Sequence, residues 1–312
     1  MRKERLVVAG DARELEEHVP RSAWERFLIF LEMIKFEHTV FALPFAYIGL
    51  VLGSFYVRGT WPTLWMWTWT TVAMVAARTL AMTLNRIIDR DIDAANPRTR
   101  GRALPRGLIG VREAWAYAVV SLVVFVLASA MLNTTALLLL PLAAGILFFY
   151  SFTKRFTAWS HLVLGAADAL APLGGWVAAT AALHGPSVWL FLAVTFWVAG
   201  FDVLYALQDE EFDRVHGLHS LPARYGAERA IRIARAFHVL TVLFLLALVG
   251  TAGLGVWYLA GVGAAAAILL YEHSLVRPGD LSRLDAAFFT MNGVMSVVLF
   301  AFVLLNYLFM KA

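Results

Sequence analysis

The pattern of hydrophobic and polar positions along the chain consists of long apolar stretches separated by short polar ones. Nine stretches approach or exceed the roughly 20 residues that a helix needs to cross a bilayer. They lie at about 28–56, 62–88, 113–132, 134–150, 161–181, 188–208, 228–251, 254–271 and 286–309. The apolar run before 150 is too long for one crossing and is divided at Asn133. The pattern predicts an all-α integral membrane protein with nine transmembrane helices.

Composition excludes a soluble globular protein. Hydrophobic residues make up 61% of the chain and charged residues 15%, whereas soluble domains carry about 25% charged residues. The absence of cysteine excludes disulfides, thiolate metal sites and thiol catalysis. Residues 1–26 are polar, show no cleavable signal peptide and are predicted to form a cytoplasmic tail. Residues 27–311 are predicted to form a single transmembrane domain.

The positive charges are distributed unevenly between the predicted loops. Lysine and arginine concentrate in the tail and in or beside the second, fourth, sixth and eighth loops, whereas the first, third, fifth and seventh carry only Arg58. The positive-inside rule then places the N-terminus in the cytoplasm of a multi-pass protein of the cytoplasmic (inner) membrane. The net charge of +4 thus reflects topology rather than nucleic-acid binding. No obligate protein partner is evident.

The most polar segment, NRIIDRDID at 85–93, directly follows the second apolar stretch. Asn85, Asp89 and Asp93 recur every four residues, so on a helix their side chains share one face. Such a face offers oxygen ligands, and Mg²⁺ binds one or two protein carboxylates together with water and substrate phosphates. The arginines that follow, among them Arg102, provide the opposite charge that a phosphate needs. The segment predicts a site for a metal-bound phosphate.

A second acidic segment follows the sixth predicted helix. Asp209 and Asp213 repeat the four-residue step, and both acidic segments end in a basic Leu-Pro stretch, ALPRG at 103–107 and SLPARYG at 220–226. We interpret this as a weak internal repeat, with halves at about 27–150 and 161–271. The predicted architecture is two four-helix halves plus one helix, bundled around a central cavity. Facing acidic segments would bind a metal-bridged diphosphate.

Polar groups within the apolar stretches extend this predicted site into the membrane. Arg78 precedes Asn85 by seven residues and Asp202 precedes Asp209 by seven, so each lies two turns deeper on nearly the same face. Ionisable groups at such depth cost about 2.5–3.5 kcal/mol or more and normally face a polar cavity. The same cavity is predicted to receive Lys35, His38, Asp168, Tyr150 and Lys154.

The two motifs resemble the signature of the UbiA superfamily of intramembrane prenyltransferases. That family has an Asn-x-x-x-Asp-x-x-x-Asp motif after helix two and an Asp-x-x-x-Asp motif after helix six, matched here at 85–93 and 209–213. It also has nine helices in two four-helix halves plus one, so the resemblance covers nearly the whole chain. The segments at 202–209, 150–155 and 35–44 look most like members that prenylate 4-hydroxybenzoate or related aromatic acids in ubiquinone or menaquinone biosynthesis.

The resemblance implies a role for each candidate residue. Mg²⁺ ions bridging the diphosphate of a polyprenyl donor would be held by Asn85, Asp89, Asp93, Asp209 and Asp213. The catalytic set would be Tyr150, Lys154 and Arg102, which contact the diphosphate, and Asp202, which lies near the phenolic oxygen of the acceptor. The substrate-binding set would be Lys35, His38, Arg78 and Asp168. Many family members have an arginine in helix one for the acceptor's carboxylate, and this chain has Lys35 and His38 instead.

Several alternatives remain open at this stage. The helix-one pattern also resembles enzymes that prenylate a dihydroxynaphthoate on the menaquinone route, and a haem or chlorophyll-type acceptor is a further possibility. An ion-coupled transporter is a different class, although its ion sites would be expected nearer the membrane midplane. Each acidic segment by itself is also typical of interfacial salt bridges, and Arg78 with Asp202 could form a structural pair. Candidate rings for stabilising an allylic cation are Phe36, Phe41, Phe45, Phe148 and Phe149.

Overall fold

The computed structural model describes residues 22–284 and 290–309, with the side chains of 37–41 left out. The regular elements of these residues are α-helices and one 3₁₀ turn, Ala206–Asp209. The helices are α1 (Ala23–Met33), α2 (Phe36–Arg58), α3 (Leu64–Ile88), α4 (Arg90–Ala95), α5 (Val111–Leu132), α6 (Thr134–Thr153), α7 (Ser160–Asp168), α8 (Leu170–Thr180), α9 (Gly185–Tyr205), α10 (Glu210–Val215), α11 (Leu221–Tyr225), α12 (Ala227–Ala252), α13 (Val256–Leu275) and α14 (Asn292–Phe309). The all-α fold class is confirmed.

Most of the long helices are suited to cross a membrane. Seven segments of the described chain are long and apolar enough: α5, α6, α7 with α8, α9 with the turn and α10, α12, α13 and α14. The helices α2 and α3 occupy the first two predicted spans, although the apolar part of α2, Ala42–Arg58, is shorter. The chain is a multi-pass membrane protein, and nine crossings stay a prediction.

The helices pack against one another through a few dominant pairs. The strongest pairings are α9 with α12, α2 with α8, α3 with α5, and α9 with α7. Since α2 belongs to the first predicted half and α8 to the second, this pair joins the two halves. The last helix, α14, packs against both α13 and α2 and so connects the end of the chain to its beginning. The division into domain halves at 27–150 and 161–271 stays a prediction.

Glycines allow the backbones of α2 and α8 to pack closely against each other. A Cβ atom added at Gly49 would lie 1.9 Å from the backbone oxygen of Pro172, and one at Gly175 would lie 2.0 Å from that of Ala46. Only glycine permits backbones to approach so closely, as at many helix contacts in membranes. Gly49 and Gly175 therefore serve the close packing of α2 on α8.

Two predicted spans are broken in the structure. The first, expected to run unbroken from 28, is interrupted at Ile34 and Lys35, and Lys35 has a left-handed backbone with φ of 51°. The fifth is interrupted at Ala169. Pro172 has no N–H to donate to the Asp168 carbonyl four residues earlier, which explains the second break. Both breaks border the cavity described below.

Most of the predicted N-terminal tail, residues 1–21, lies outside the described residues. Ser22 caps α1 in a capping box with Glu25. The helix buries Phe30 and Met33 in a cluster that also contains Leu104. It thereby covers the basic segment that follows α4, which carries the candidate site residue Arg102.

Candidate functional site

A cavity of about 620 Å³ lies within the helical bundle. Its walls come mainly from α2, α3 and α5 to α9, and its mouth comes from the segments that follow α3 and α9. All the predicted site residues whose side chains are described line it: Lys35, Arg78, Asn85, Asp89, Asp93, Arg102, Tyr150, Lys154, Asp168, Asp202, Asp209 and Asp213. The side chain of His38 lies outside the described residues.

The first acidic segment keeps its helical spacing although two helices meet within it. The backbone N–H of Asp89 donates to the Asn85 carbonyl at 2.9 Å, and that of Asp93 donates to the Asp89 carbonyl at 2.7 Å. The three side chains therefore share one face, as the spacing predicts. Asp89 and Asp93 are both buried. Two buried carboxylates on one helix face require nearby positive charge.

Basic side chains from two other segments provide that charge. Lys154 Nζ lies 2.6 Å from Asp89 Oδ2 and Arg155 Nη2 lies 3.1 Å from Asp89 Oδ1. Arg102 Nη1 lies 2.7 Å from Asp93 Oδ1. The contact of Arg155 is not predictable from the sequence, because a basic residue beside Lys154 at a helix end is also typical of a topology signal. Arg155 also donates to the Ile88 carbonyl at 2.9 Å, which ties the end of α6 to the end of α3.

The amide of Asn85 is oriented by its neighbours. Its Nδ2 donates to Asp89 Oδ2 at 2.9 Å and to Ser151 Oγ at 3.3 Å, and its Oδ1 accepts from Arg86 Nη1 at 2.9 Å. Arg86 is buried and donates through Nε to the Met33 carbonyl at the end of α1. Asn85 thus holds Asp89 in position. Arg86 is a second residue that sequence reasoning missed, because its role depends on a tertiary contact with Met33.

The second acidic segment meets the first at the mouth of the cavity. Arg98 Nε donates to Asp209 Oδ1 at 3.0 Å, Arg98 Nη2 donates to Asp209 Oδ2 at 2.5 Å, and Asn96 Nδ2 donates to Oδ1 at 2.9 Å. The Arg98 guanidinium also lies over the Tyr205 ring, 5.3 Å from its centroid. Burial lowers the pKa of Arg98, but the hydrogen bond and charge of Asp209 outweigh it, so the net shift is upward. A charged arginine thus joins the two acidic segments.

Deeper in the cavity, the ionisable groups form two separate pairs. Arg78 Nη1 lies 3.7 Å from Asp168 Oδ1. Asp202 Oδ2 lies 2.6 Å from Nδ1 of His161, a buried residue that sequence reasoning did not single out. The structural pairing of Arg78 with Asp202 considered from sequence is therefore wrong. Asp168 lies at the helix break caused by Pro172, which places its carboxylate within reach of Arg78.

The candidate aromatic rings are mostly not at the cavity. Phe148 and Phe149 are among the exposed large apolar residues of the described chain, as expected for lipid-facing side chains, and neither lines the cavity. Phe45 does line it and stacks in a tilted arrangement on Trp197, with ring centroids 4.5 Å apart. Phe36 is exposed, and the side chain of Phe41 lies outside the described residues.

The first acidic segment retains unsatisfied oxygen atoms that suit a cation. Asp89 Oδ1 and Asp93 Oδ2 are buried and accept no hydrogen bond in the described part of the chain, since Arg155 is close to Asp89 Oδ1 but misaligned. A buried carboxylate oxygen without a partner is costly. In the described residues, no three His, Cys, Asp or Glu side chains are grouped to hold a metal by themselves. The residues therefore fit Mg²⁺ shared with a substrate phosphate, which needs only one or two protein carboxylates.

Fold and cavity together define a multi-pass helical membrane protein with a polar-mouthed cavity. The model of the UbiA prenyltransferase family matches residues 42–294. The chain belongs to this family and is a prenyltransferase. It is 32% identical over 262 residues to the 4-hydroxybenzoate octaprenyltransferase of Aeromonas salmonicida, covering 80% of this chain and 90% of the relative. It is also 33% identical over 173 residues to a mitochondrial 4-hydroxybenzoate polyprenyltransferase of Aedes aegypti, covering 54% and 38% respectively.

Solved structures share the fold. A UbiA homologue from Aeropyrum pernix K1 in its apo form superposes with a TM-score of 0.78 at 34% identity, covering 86% of this chain and 98% of that one. A UbiA homologue from Archaeoglobus fulgidus bound to DMAPP and Mg²⁺ has a TM-score of 0.71 at 22% identity, with 90% and 99% covered. Family membership removes the transporter alternative.

Proposed function

We propose that this protein transfers a polyprenyl group from a prenyl diphosphate to the ring of an aromatic acid, with Mg²⁺, in quinone biosynthesis. The observation that carries the proposal is the meeting of two acidic segments at one cavity mouth, where Asp89, Asp93 and Asp209 each face a basic side chain. The names of the relatives favour a 4-hydroxybenzoate-like acceptor. A dihydroxynaphthoate and a haem or chlorophyll-type ring remain as alternative acceptors.

The mouth of the cavity is suited to bind the diphosphate. Mg²⁺ would be held by Asp89, Asp93, Asp209 and Asp213 with Asn85, and when bound it would neutralise the charge that develops on the leaving diphosphate. Arg102 and Lys154 already lie against the same carboxylates. Their cationic groups can donate to phosphate oxygens without any proton transfer. The Tyr150 hydroxyl adds a neutral donor at the cavity wall.

The interior of the cavity is suited to hold an apolar chain. Its lining includes Met74, Leu140 and Leu147 along its walls and Leu132, the last residue of α5. Because α5 begins on the side of the acidic segments and is about 33 Å long at ~1.5 Å per residue, the cavity reaches toward the opposite membrane face. An apolar lining of this extent would hold a polyprenyl tail and exclude water from a reactive allylic group.

The acceptor would lie between the diphosphate and the two deeper ion pairs. Lys35 at the helix break and Arg78 beside Asp168 are the cations that would bind its carboxylate, together with His38 if its side chain faces the same space. Asp202 would accept a hydrogen bond from the acceptor's hydroxyl, which raises electron density on the ring carbon that attacks. Holding ring and prenyl carbon together in this way supplies much of the rate acceleration.

Product analysis tests the proposal. Purified protein in liposomes would receive radiolabelled polyprenyl diphosphate, Mg²⁺ and either 4-hydroxybenzoate or a dihydroxynaphthoate, with EDTA as the control. A labelled lipid that requires both Mg²⁺ and 4-hydroxybenzoate is the expected result. If only the dihydroxynaphthoate gave product, that ring rather than 4-hydroxybenzoate would be the acceptor. The absence of product with both aromatic acids would contradict the proposal.

A further inference from the structure

A buried histidine lies directly behind the Asp202 carboxylate. His161 is the second residue of α7 and is 3% exposed, while Asp202 is near the end of α9 and lines the cavity. Nδ1 of His161 lies 2.6 Å from Oδ2 of Asp202. The pair therefore connects two helices of the second half at the cavity wall.

The proton on His161 can be assigned from its second contact. The backbone N–H of Leu221 donates to His161 Nε2 at 3.2 Å, so Nε2 presents a lone pair and carries no proton. The ring proton of the neutral imidazole then resides on Nδ1, from which it is donated to Asp202 Oδ2. Because the Leu221 N–H is a backbone donor and cannot accept, this contact favours the tautomer with its proton on Nδ1. The imidazole orients the carboxylate and does not relay protons through Nε2.

The segment that bears Leu221 is itself fixed to the site. The His219 N–H donates to the Lys154 carbonyl at 2.7 Å, and the side chain of Leu221 is fully buried at the start of α11. Lys154 is the residue that pairs with Asp89. The Leu221 N–H, which sets the tautomer of His161, therefore lies in a segment that is hydrogen-bonded to Lys154, a candidate for binding the diphosphate.

The contact leaves one carboxylate oxygen for the substrate. Asp202 Oδ2 accepts from His161, and Asp202 Oδ1 makes no hydrogen bond to any described residue. Building on the proposed function, we propose that His161 is a positioning residue for acceptor recognition. Its Nδ1–H holds Asp202 so that Oδ1 accepts a hydrogen bond from a hydroxyl on the aromatic ring. This restricts acceptors to rings that carry a hydrogen-bond donor at the reacting end.

Two substitutions at His161 separate positioning from structural support. His161→Asn places an amide N–H near the position of Nδ1 and retains the donor to Asp202, whereas His161→Leu removes it. Neither variant has an acceptor at the position of Nε2, so both lose the hydrogen bond from the Leu221 N–H. The difference in activity between the two variants therefore measures the contact with Asp202. We expect His161→Leu to lower kcat/KM for the aromatic acceptor by about tenfold or more, as for loss of a hydrogen bond to a charged group. His161→Asn should remain within about threefold of the wild type, and the KM for the prenyl diphosphate should be unchanged in both.

A double-mutant cycle completes the test. In an Asp202→Ala background, which removes the acceptor of this hydrogen bond, the Leu and Asn variants at His161 should have equal activity. Equal activity of the two variants with Asp202 intact, or a parallel rise in the KM of the prenyl diphosphate, would overturn the inference. If His161→Leu does not fold, His161→Phe keeps a ring of similar size and is held to the same criteria. Absence of aromatic product from the wild type itself would instead overturn the proposed function, and the inference with it.

Discussion

At the scale of single residues, the site is a set of buried or half-buried carboxylates, each matched to a cation from another position in the chain. Asp89 faces Lys154 and Arg155, Asp93 faces Arg102, and Asp209 faces Arg98. A buried carboxylate without such a partner would be strongly destabilising. The same cations are positioned to contact phosphate oxygens once the carboxylates bind Mg²⁺. In the proposed function, each of these cations therefore contacts a carboxylate of the protein and, once the diphosphate is bound, a phosphate oxygen as well.

Asp93 and Asp91 provide a matched pair for testing these roles. The side chain of Asp93 is 5% exposed and lines the cavity, whereas that of Asp91 is 89% exposed and pairs with its neighbour Arg90. Both belong to α4. We expect Asp93→Asn to lower kcat by about 100-fold or more, because it removes charge that stabilises the bound metal and diphosphate. Asp91→Asn should retain wild-type turnover in the same Mg²⁺-dependent assay. Equal loss in both would contradict the assignment.

The sequence predicts the acidic residues better than their partners. Asn85, Asp89 and Asp93 are found by a four-residue period that survives in the structure. Arg86, Arg98 and His161 are not found, because the role of each depends on a contact with a segment distant in sequence, at Met33, Asp209 and Asp202 respectively. Nothing local distinguishes such a residue from an ordinary interfacial charge or a packing histidine.

At the scale of elements, helix breaks and helix contacts shape the cavity. The length and apolarity of each span are predictable from sequence, whereas the breaks at Lys35 and Ala169 are not fully so. Pro172 gives a local signal for the second break. The first break depends on a left-handed lysine, and lysine has no preference for that conformation. At this break α1 packs on the basic segment through Phe30, which is a tertiary contact without a local signal in the sequence.

Adjacent glycines in α8 test the role of helix contacts. A Cβ atom at Gly175 would lie 2.0 Å from the Ala46 carbonyl oxygen, whereas one at Gly174 would meet no atom within 4 Å. We expect Gly175→Ala to lower the free energy of unfolding by about 1–3 kcal/mol through overpacking. Gly174→Ala should be neutral or stabilising by up to about 1 kcal/mol. Thermal unfolding in detergent would measure both, and equal melting temperatures for the two variants would argue against close packing of α2 on α8.

At the scale of the whole molecule, the acidic segments of both halves open to one side of the bundle. The distribution of lysine and arginine predicts that this is the cytoplasmic side. Neither the spacing of residues nor the fold gives the orientation by itself. The charge bias is therefore the observation on which the proposed localisation of the site rests.

The absence of native cysteine allows a direct test of orientation. Thr60, in the first loop, and Arg100, in the second, are both exposed. In intact cells, a membrane-impermeant maleimide should label Thr60→Cys, while Arg100→Cys should react only after the membrane is permeabilised. The reverse pattern would place the site on the outer side. Mg²⁺-dependent activity in each variant would serve as the control for correct folding.

The central claim is that both halves of the chain contribute carboxylates to one magnesium-diphosphate site. The most direct measurement is the affinity of a non-reacting prenyl thiolodiphosphate for the purified protein, with Mg²⁺ and with EDTA. We predict Mg²⁺-dependent binding that is weakened at least tenfold by Asp89→Asn in the first half and by Asp209→Asn in the second, but not by Asp91→Asn. Binding that is independent of Mg²⁺, or that is sensitive to only one half, would contradict the account.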